Sequence, residues 1–203
     1  MNDACVFVVA WRGHPGPVPA GWRVEPTLAD QSALDRAGSK GRTPPPFDVL
    51  LWPPGPSALE LPPALEPAAA QWLGLRLHPR PAWDQTAASG ITPQVKQVSL
   101  LHARVELGPG EFARHFREHV DVARVHHPGI CRYTQHDVLE QAGNAGLSVQ
   151  GVSELWFADE DTLVARYYAG PDSVPVVRAD NRDYIDFAGT LSLLVRPDDG
   201  TRP

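Results

Sequence analysis

Proline sets the strongest limit on what this chain can fold into. Most of its 22 prolines fall before residue 94. They come in runs such as Pro15-Gly-Pro-Val-Pro19, Pro44-Pro-Pro46, Pro53-Pro-Gly-Pro56 and Pro62-Pro63. Each proline removes a backbone donor and breaks helices, so regular elements in this half must be short. Three are legible. Ala4–Trp11 and Phe47–Trp52 are apolar enough to be strands, and Gln71–His78 alternates like a third, after a short helix over Leu65–Gln71. Gly13–Thr43 reads either as part of this fold or as disorder, although the apolar strands argue that the half as a whole is folded.

The second half is regular. Val95–Glu106, Gly129–Glu140, Gly151–Ala158 and Thr190–Arg196 read as strands. Glu111–His126 reads as a helix opened by Pro109 or Gly110, and Asp159–Ala169 as a helix capped by Asp159. Gln141–Gln150 is a Gly- and Asn-rich loop, and Asp180–Phe187 a short helical turn. The order is β-α-β-β-α-β, the split βαβ or ferredoxin-like arrangement. The chain therefore reads as α+β, with a proline-rich region over 1–90 and a ferredoxin-like domain over 91–203.

The helix 111–126 carries the chemistry. At about 100° per residue, Phe112, His115, Phe116, His119 and Ala123 fall in one apolar stripe. A histidine facing an interior needs a hydrogen-bond partner, a metal or a pocket. His115-x-x-Glu118-His119 also fits the inverted zinc-peptidase pattern. Glu118, however, lies at the edge of the stripe, and no third ligand is evident, so no metal is expected. Two core histidines satisfied by backbone or water are the bland alternative. A metal-free pocket is the sharper one.

Composition excludes other classes. With 203 residues and 42% hydrophobic content, the chain can bury a core. A net charge of −6 with no basic face argues against nucleic acid. No apolar run is long enough to span a membrane. The first residues lack a basic stretch typical of an export signal. Cys5 and Cys131 have no metal or redox spacing, so a cytoplasmic setting is expected. Lys40 and Lys96 are the only lysines, a bias expected of a GC-rich bacterium. No dinucleotide or phosphate-binding loop occurs, and no cofactor is expected.

The second half resembles the EthD-like family of dimeric α/β-barrel proteins over about Val95–Pro197. The matching residues are Lys96-Gln-Val-Ser-Leu-Leu, Glu111-Phe112, His115-Phe-Arg-Glu-His119, Pro128-Gly-Ile-Cys-Arg-Tyr133, Gly151-Val-Ser-Glu-Leu-Trp-Phe157, Asp180, Tyr184 and Val195. Phe116 stands where the family usually has tryptophan. The resemblance implies a paired-sheet barrel, usually made by dimerisation, with a pocket between sheet and helices. It implies His119 as the characteristic helix histidine and His115 as its companion. Its relatives include polyketide cyclases and decarboxylases, muconolactone-type isomerases, cofactor-free monooxygenases and accessory proteins of ether degradation. Residues 1–90 have no such match. They are either a degenerate second copy, which would build the barrel within one chain, or an appendage to a unit that still forms a homodimer.

An imidazole can accept and donate a proton near neutral pH. His119 and His115 are the expected catalytic pair, with Tyr133 as a donor to a phenolate or carbonyl oxygen. His102 and Arg104 share a strand face, where Arg104 could hold a carboxylate. Trp156 and Phe157 point to opposite faces. Trp156 and Phe116 are candidate substrate walls. Asp180 could orient a histidine, but an N-cap for the turn after it is the preferred role. His126 and His127, at a helix C-terminus, suit the dipole and receive no chemistry. His14, His78 and His136 are read as exposed. Two function classes remain. The favoured one is a cofactor-independent lyase, isomerase or cyclase acting on an aromatic or polyketide-like small molecule, with cofactor-free monooxygenation as a variant. The other is a non-catalytic binding or accessory protein of a catabolic pathway.

Overall fold

The computed structural model describes residues 6–13, 17–39, 41, 44–54, 65 and 71–198. The strands are β1 (Val6–Arg12), β2 (Arg23–Pro26), β3 (Val49–Trp52), β4 (Gln71–Asp84), β5 (Val95–Leu101), β6 (Arg132–Gly143), β7 (Gly151–Phe157) and β8 (Leu191–Val195). The helices are α1 (Ser32–Arg36), α2 (Thr86–Ser89), α3 (Pro109–His126), α4 (Glu160–Arg166) and α5 (Ser173–Arg182).

All eight strands form one sheet in the order β2-β3-β1-β4-β6-β7-β5-β8. The second half contributes β6-β7-β5-β8, the ferredoxin-like order. The first half contributes β2-β3-β1-β4, which is the same order for its own four strands. The degenerate copy is therefore visible in the strands, although α1 lies between β2 and β3 instead of before β2. Long antiparallel pairing of β4 with β6 joins the halves, with register shifts at Arg76/Leu77 and Pro81/Trp83. Pro79 and Pro81 sit inside β4, where proline is tolerated near a sheet irregularity.

The two ends of the sheet meet. Thr27 bridges Val195, Leu28 N–H donates to Leu194 O at 2.9 Å, and Arg196 N–H donates to Pro26 O at 2.9 Å. Buried Gln31 completes the seam. Its Oε1 accepts from Leu194 N–H at 2.7 Å and its Nε2 donates to Leu194 O at 3.1 Å. The sheet is thus a nearly closed barrel of the dimeric α/β-barrel type, built within one chain.

Alternation along each strand sends one set of side chains into the barrel and the other toward the helices. Ala10, Leu50, Leu73, Leu75, Leu77, Val98, Leu100, Val152, Leu191 and Leu193 belong to one buried interior cluster. Charges are buried there too. Lys96 is 0% exposed, and its Nζ donates to Glu25 and, at 2.6 Å, to Glu154 Oε1. His136 Nε2 lies 3.0 Å from Glu154 Oε2, and Trp52 Nε1 donates to Glu25 Oε2 at 2.8 Å. His136 is therefore buried rather than exposed. Its even position in β6 turns it inward beside a carboxylate that sequence proximity does not reveal.

Several boundaries move. β5 stops at Leu101, so His102 and Arg104 leave the strand. β6 runs on to Gly143, into the expected loop. β2 and α1 are ordered inside Gly13–Thr43. The expected helix over Leu65–Gln71 falls mostly outside the described residues, and Gln71 opens β4. The expected turn at Asp180 belongs to α5 instead. Pro175 lies in the first turn of that helix, where a missing N–H costs nothing. Asp180 is consequently not an N-cap.

Candidate active site

α3 places the site. Its 18 residues form a helix because apolar side chains recur at a period near 3.6. Pro109 starts it, and Glu111 accepts from Gly108 N–H at 3.4 Å. Phe112, Phe116, His119 and Ala123 are buried on the sheet side. The helix lies close to β7 because Gly151 has no side chain. A Cβ there would meet Phe116 at 2.8 Å and Phe112 at 3.1 Å.

Between α3, α5 and the outer face of β5, β7 and β8 lies a cavity of about 490 Å³. Its floor includes Gln97, Ser99, Ser153 and Ser192, and its walls include Phe116, Tyr133, Tyr167, Tyr168 and Tyr184. Exposed Asp35, Arg178, Arg182 and Phe187 mark its mouth. The size and the mixed apolar and polar lining suit a drug-sized organic molecule. A larger open groove of about 660 Å³ runs along Thr92–Val95, Asp159–Asp161 and Arg196. It holds no histidine or aromatic side chain, and Asp159 is engaged in capping α4 through Thr162 N–H at 2.6 Å.

His119 enters the cavity from α3 and is 9% exposed. Its Nδ1 lies 2.6 Å from Asp180 Oδ2 on α5. A carboxylate accepts only, so Nδ1 carries the proton and Nε2 is the nitrogen left as a base. This carboxylate–imidazole pair fixes the tautomer and ring orientation. Tyr184 packs against His119 with ring centres 6.0 Å apart, and its hydroxyl donates to Asn181 Oδ1 at 3.0 Å.

Burial pushes the Tyr184 and Tyr133 hydroxyls well above the usual phenol range and holds them protonated. Burial likewise pushes Tyr167 up to about 12. The Tyr133 hydroxyl oxygen (Oη) accepts from Gln135 Nε2 at 3.0 Å, so its own proton remains available to a ligand.

His127 also lines the cavity, from just beyond the end of α3. Desolvation outweighs its bond to the Tyr167 carbonyl and lowers its pKa to about 4. It is held neutral, not as the dipole-favoured cation its position suggested. The unfolded chain binds this proton at about pH 6.5, so stability is complete above that pH and is lost as pH falls toward 4. The expected loss from this one residue is about 3 kcal/mol. Urea midpoints measured at each pH should show the decline, and His127→Asn should flatten it.

The other candidates lie apart from the cavity. His115 is half-exposed, stacks on Tyr184 at 6.2 Å, and accepts from Arg114 Nη2 at 2.9 Å. Glu118 pairs with Arg114 at 2.7 Å. The residues of the zinc-like pattern therefore do not converge. His102 Nδ1 is 2.7 Å from Ser148 O, and exposed Arg104 donates to Arg182 O at 2.9 Å. Trp156 turns into the barrel, 5.2 Å from Lys96 Nζ. The polar floor, by contrast, was missed. Gln97, Ser99, Ser153 and Ser192 alternate with the barrel-facing positions, which are apolar except for Lys96 and Glu154, a period-2 signal present in β5, β7 and β8.

No protein-family model matches this chain, and no curated protein does. Solved structures do. An anthrone oxidase-like protein superposes with a TM-score of 0.55 at 10% identity, covering 96% of this chain and 90% of that one. A candidate monooxygenase from Lactobacillus acidophilus NCFM gives a TM-score of 0.46 at 8% identity, covering 95% of this chain and 93% of that one. The likeness to the first spans both halves of the chain, and at such low identity it shows a shared fold of the dimeric α/β-barrel type.

Proposed function

We propose that this protein is a small cofactor-independent enzyme of EthD-like character, acting on an enolisable or phenolic aromatic molecule. One observation carries the reading: inside the cavity, His119 is oriented by Asp180 with Nε2 left as a base. The EthD-like resemblance had singled out His119, Asp180 and Tyr184 from distant stretches of sequence, and they meet at one end of the cavity.

His119 Nε2 takes a proton from carbon beside a carbonyl or from a phenol. The negative charge moves to oxygen, where Tyr133 or the serine floor donates a hydrogen bond. Return of the proton at another atom completes an isomerisation. Loss of a leaving group completes a lyase or cyclisation step. Cofactor-free oxygenation is the second reading, favoured by the fold likeness to an anthrone oxidase-like protein. Its first step is the same. The carbanion then reacts with dioxygen, so that one methylene becomes a ketone and one water is released.

Anthrone tests both. In deuterated buffer under nitrogen, the protein is expected to speed exchange of the anthrone methylene protons, followed by NMR. In air, oxygen uptake with formation of anthraquinone assigns oxygenation, and exchange without uptake assigns the lyase or isomerase class. Exchange no faster than in buffer alone would overturn the proposal.

A further inference from the structure

The cavity holds a second histidine that the chemistry above leaves unused. His127 is 4% exposed, and its Nδ1 bonds to the Tyr167 carbonyl. A carbonyl accepts only, so Nδ1 carries the proton and Nε2 presents a lone pair. Among the described residues that Nε2 has no hydrogen-bond partner, and it is not among the buried atoms sealed from contact. It therefore opens on the cavity that His127 lines.

The two histidines occupy different ends. His119 lies with Asp180 and Tyr184. His127 lies against Tyr167 and Tyr168, with ring centres 4.8 Å and 5.1 Å away. A Cβ added at Gly38, beyond α1, would meet the Tyr168 ring at 3.2 Å on the same side. Eight residues of helix separate their Cα atoms by about 12 Å along the axis. Aromatic walls run between them.

From this arrangement we infer that His127 is a specificity-determining residue: its Nε2 accepts a hydrogen bond from a hydroxyl on a long, flat, fused-ring ligand, at the end remote from His119. The inference rests on the proposed function only in placing the ligand in this cavity. Because burial lowers the His127 pKa to about 4, the acceptor is present at neutral pH and down toward pH 4. A buried acceptor of this kind discriminates against a ligand that lacks the donor, since its lone pair would then be left unpaired.

Two unreactive probes separate binding from chemistry: 2,6-dihydroxyanthraquinone, with a donor at each end, and anthraquinone, with none. His127→Asn keeps an N–H for the Tyr167 carbonyl and removes the lone pair at the Nε2 position, the shorter amide not reaching it. It should weaken the dihydroxy probe about 10-fold and leave anthraquinone within about twofold. The same selective loss should appear when His127→Asn is added to His119→Asn. Equal weakening of both probes, no weakening, or no binding of the dihydroxy probe to the wild type would overturn the inference. Should His127→Asn fail to fold, the ¹⁵N resonance of His127 Nε2 in the wild type decides. It should shift on addition of the dihydroxy probe, and an unmoved resonance refutes the role. Failure of proton exchange in anthrone, with this selectivity intact, would remove the catalytic reading and leave the binding role of His127.

Discussion

His119→Asn should lower the rate of anthrone proton exchange by about 10²- to 10⁴-fold, the range lost when a positioned acid–base group is removed. Asparagine can still donate an N–H toward Asp180, so the contact that ties α3 to α5 survives while Nε2 disappears. Thermal unfolding should therefore stay close to that of the wild type. A variant that unfolds would instead assign His119 to the core. Asp180→Asn should cost less, about 10- to 100-fold, because it leaves the base in place and weakens its orientation. Stopped-time NMR on the three proteins measures both numbers. If His119→Asn exchanges anthrone as fast as the wild type, Nε2 is not the base.

Lys96→Met should produce the largest stability loss of any single substitution considered. It removes the buried cation between Glu25 and Glu154, leaving Glu25 only the exposed Arg23 and Glu154 only His136. Breaking a buried ion pair from one side costs about 3–5 kcal/mol, a large share of the total stability of a domain this size. Burial alone would raise the Glu154 pKa. The Lys96 charge and the His136 bond outweigh it and hold the carboxyl well below the usual range. Glu154 thus stabilises the wild type fully above about pH 4.5, and that contribution fades as the pH drops further. In the variant, burial without the cation favours the protonated carboxyls, so they take up protons already above about pH 4.5 and the stability gap should narrow as the pH falls from neutral. Urea titrations at neutral and acid pH test the claim. Adding Glu25→Gln and Glu154→Gln to Lys96→Met should recover much of the loss. A variant as stable as the wild type at neutral pH would mean the cluster contributes nothing to folding.

Much of the second half was legible because its signals are local. The 3.6 period in α3 and the period-2 strands β5 and β7 declared themselves within a few residues, and Asp159 capped α4 as its position suggested. What failed depended on distance. Nothing near Glu25 announces that it will meet Lys96, which is 71 residues away. Nothing near His136 announces Glu154. α5 begins before the short turn expected at Asp180–Phe187, with Pro175 in a first turn that tolerates it. His102 and Arg104 were assigned to a strand that ends before them, and so lost the face they were thought to share. Of the residues read from the sequence as candidates, His119, Tyr133 and Phe116 line the cavity, and Asp180 bonds to His119. The serine floor and His127 were not read as candidates, because small polar residues on a strand and a histidine at a helix end both have common uses outside a site.

The Gln31 seam also governs how the molecule responds to dilution. A barrel assembled from two chains comes apart by mass action when protein becomes scarce. Here both halves of the sheet sit on one polypeptide, and the effective concentration of one half at the other is fixed by the chain that joins them. Among the described residues α3 alone is a histidine-bearing helix, so they form one such cavity rather than a symmetric pair. Sequence change in the proline-rich half then alters the seam and the mouth without being copied into a second site.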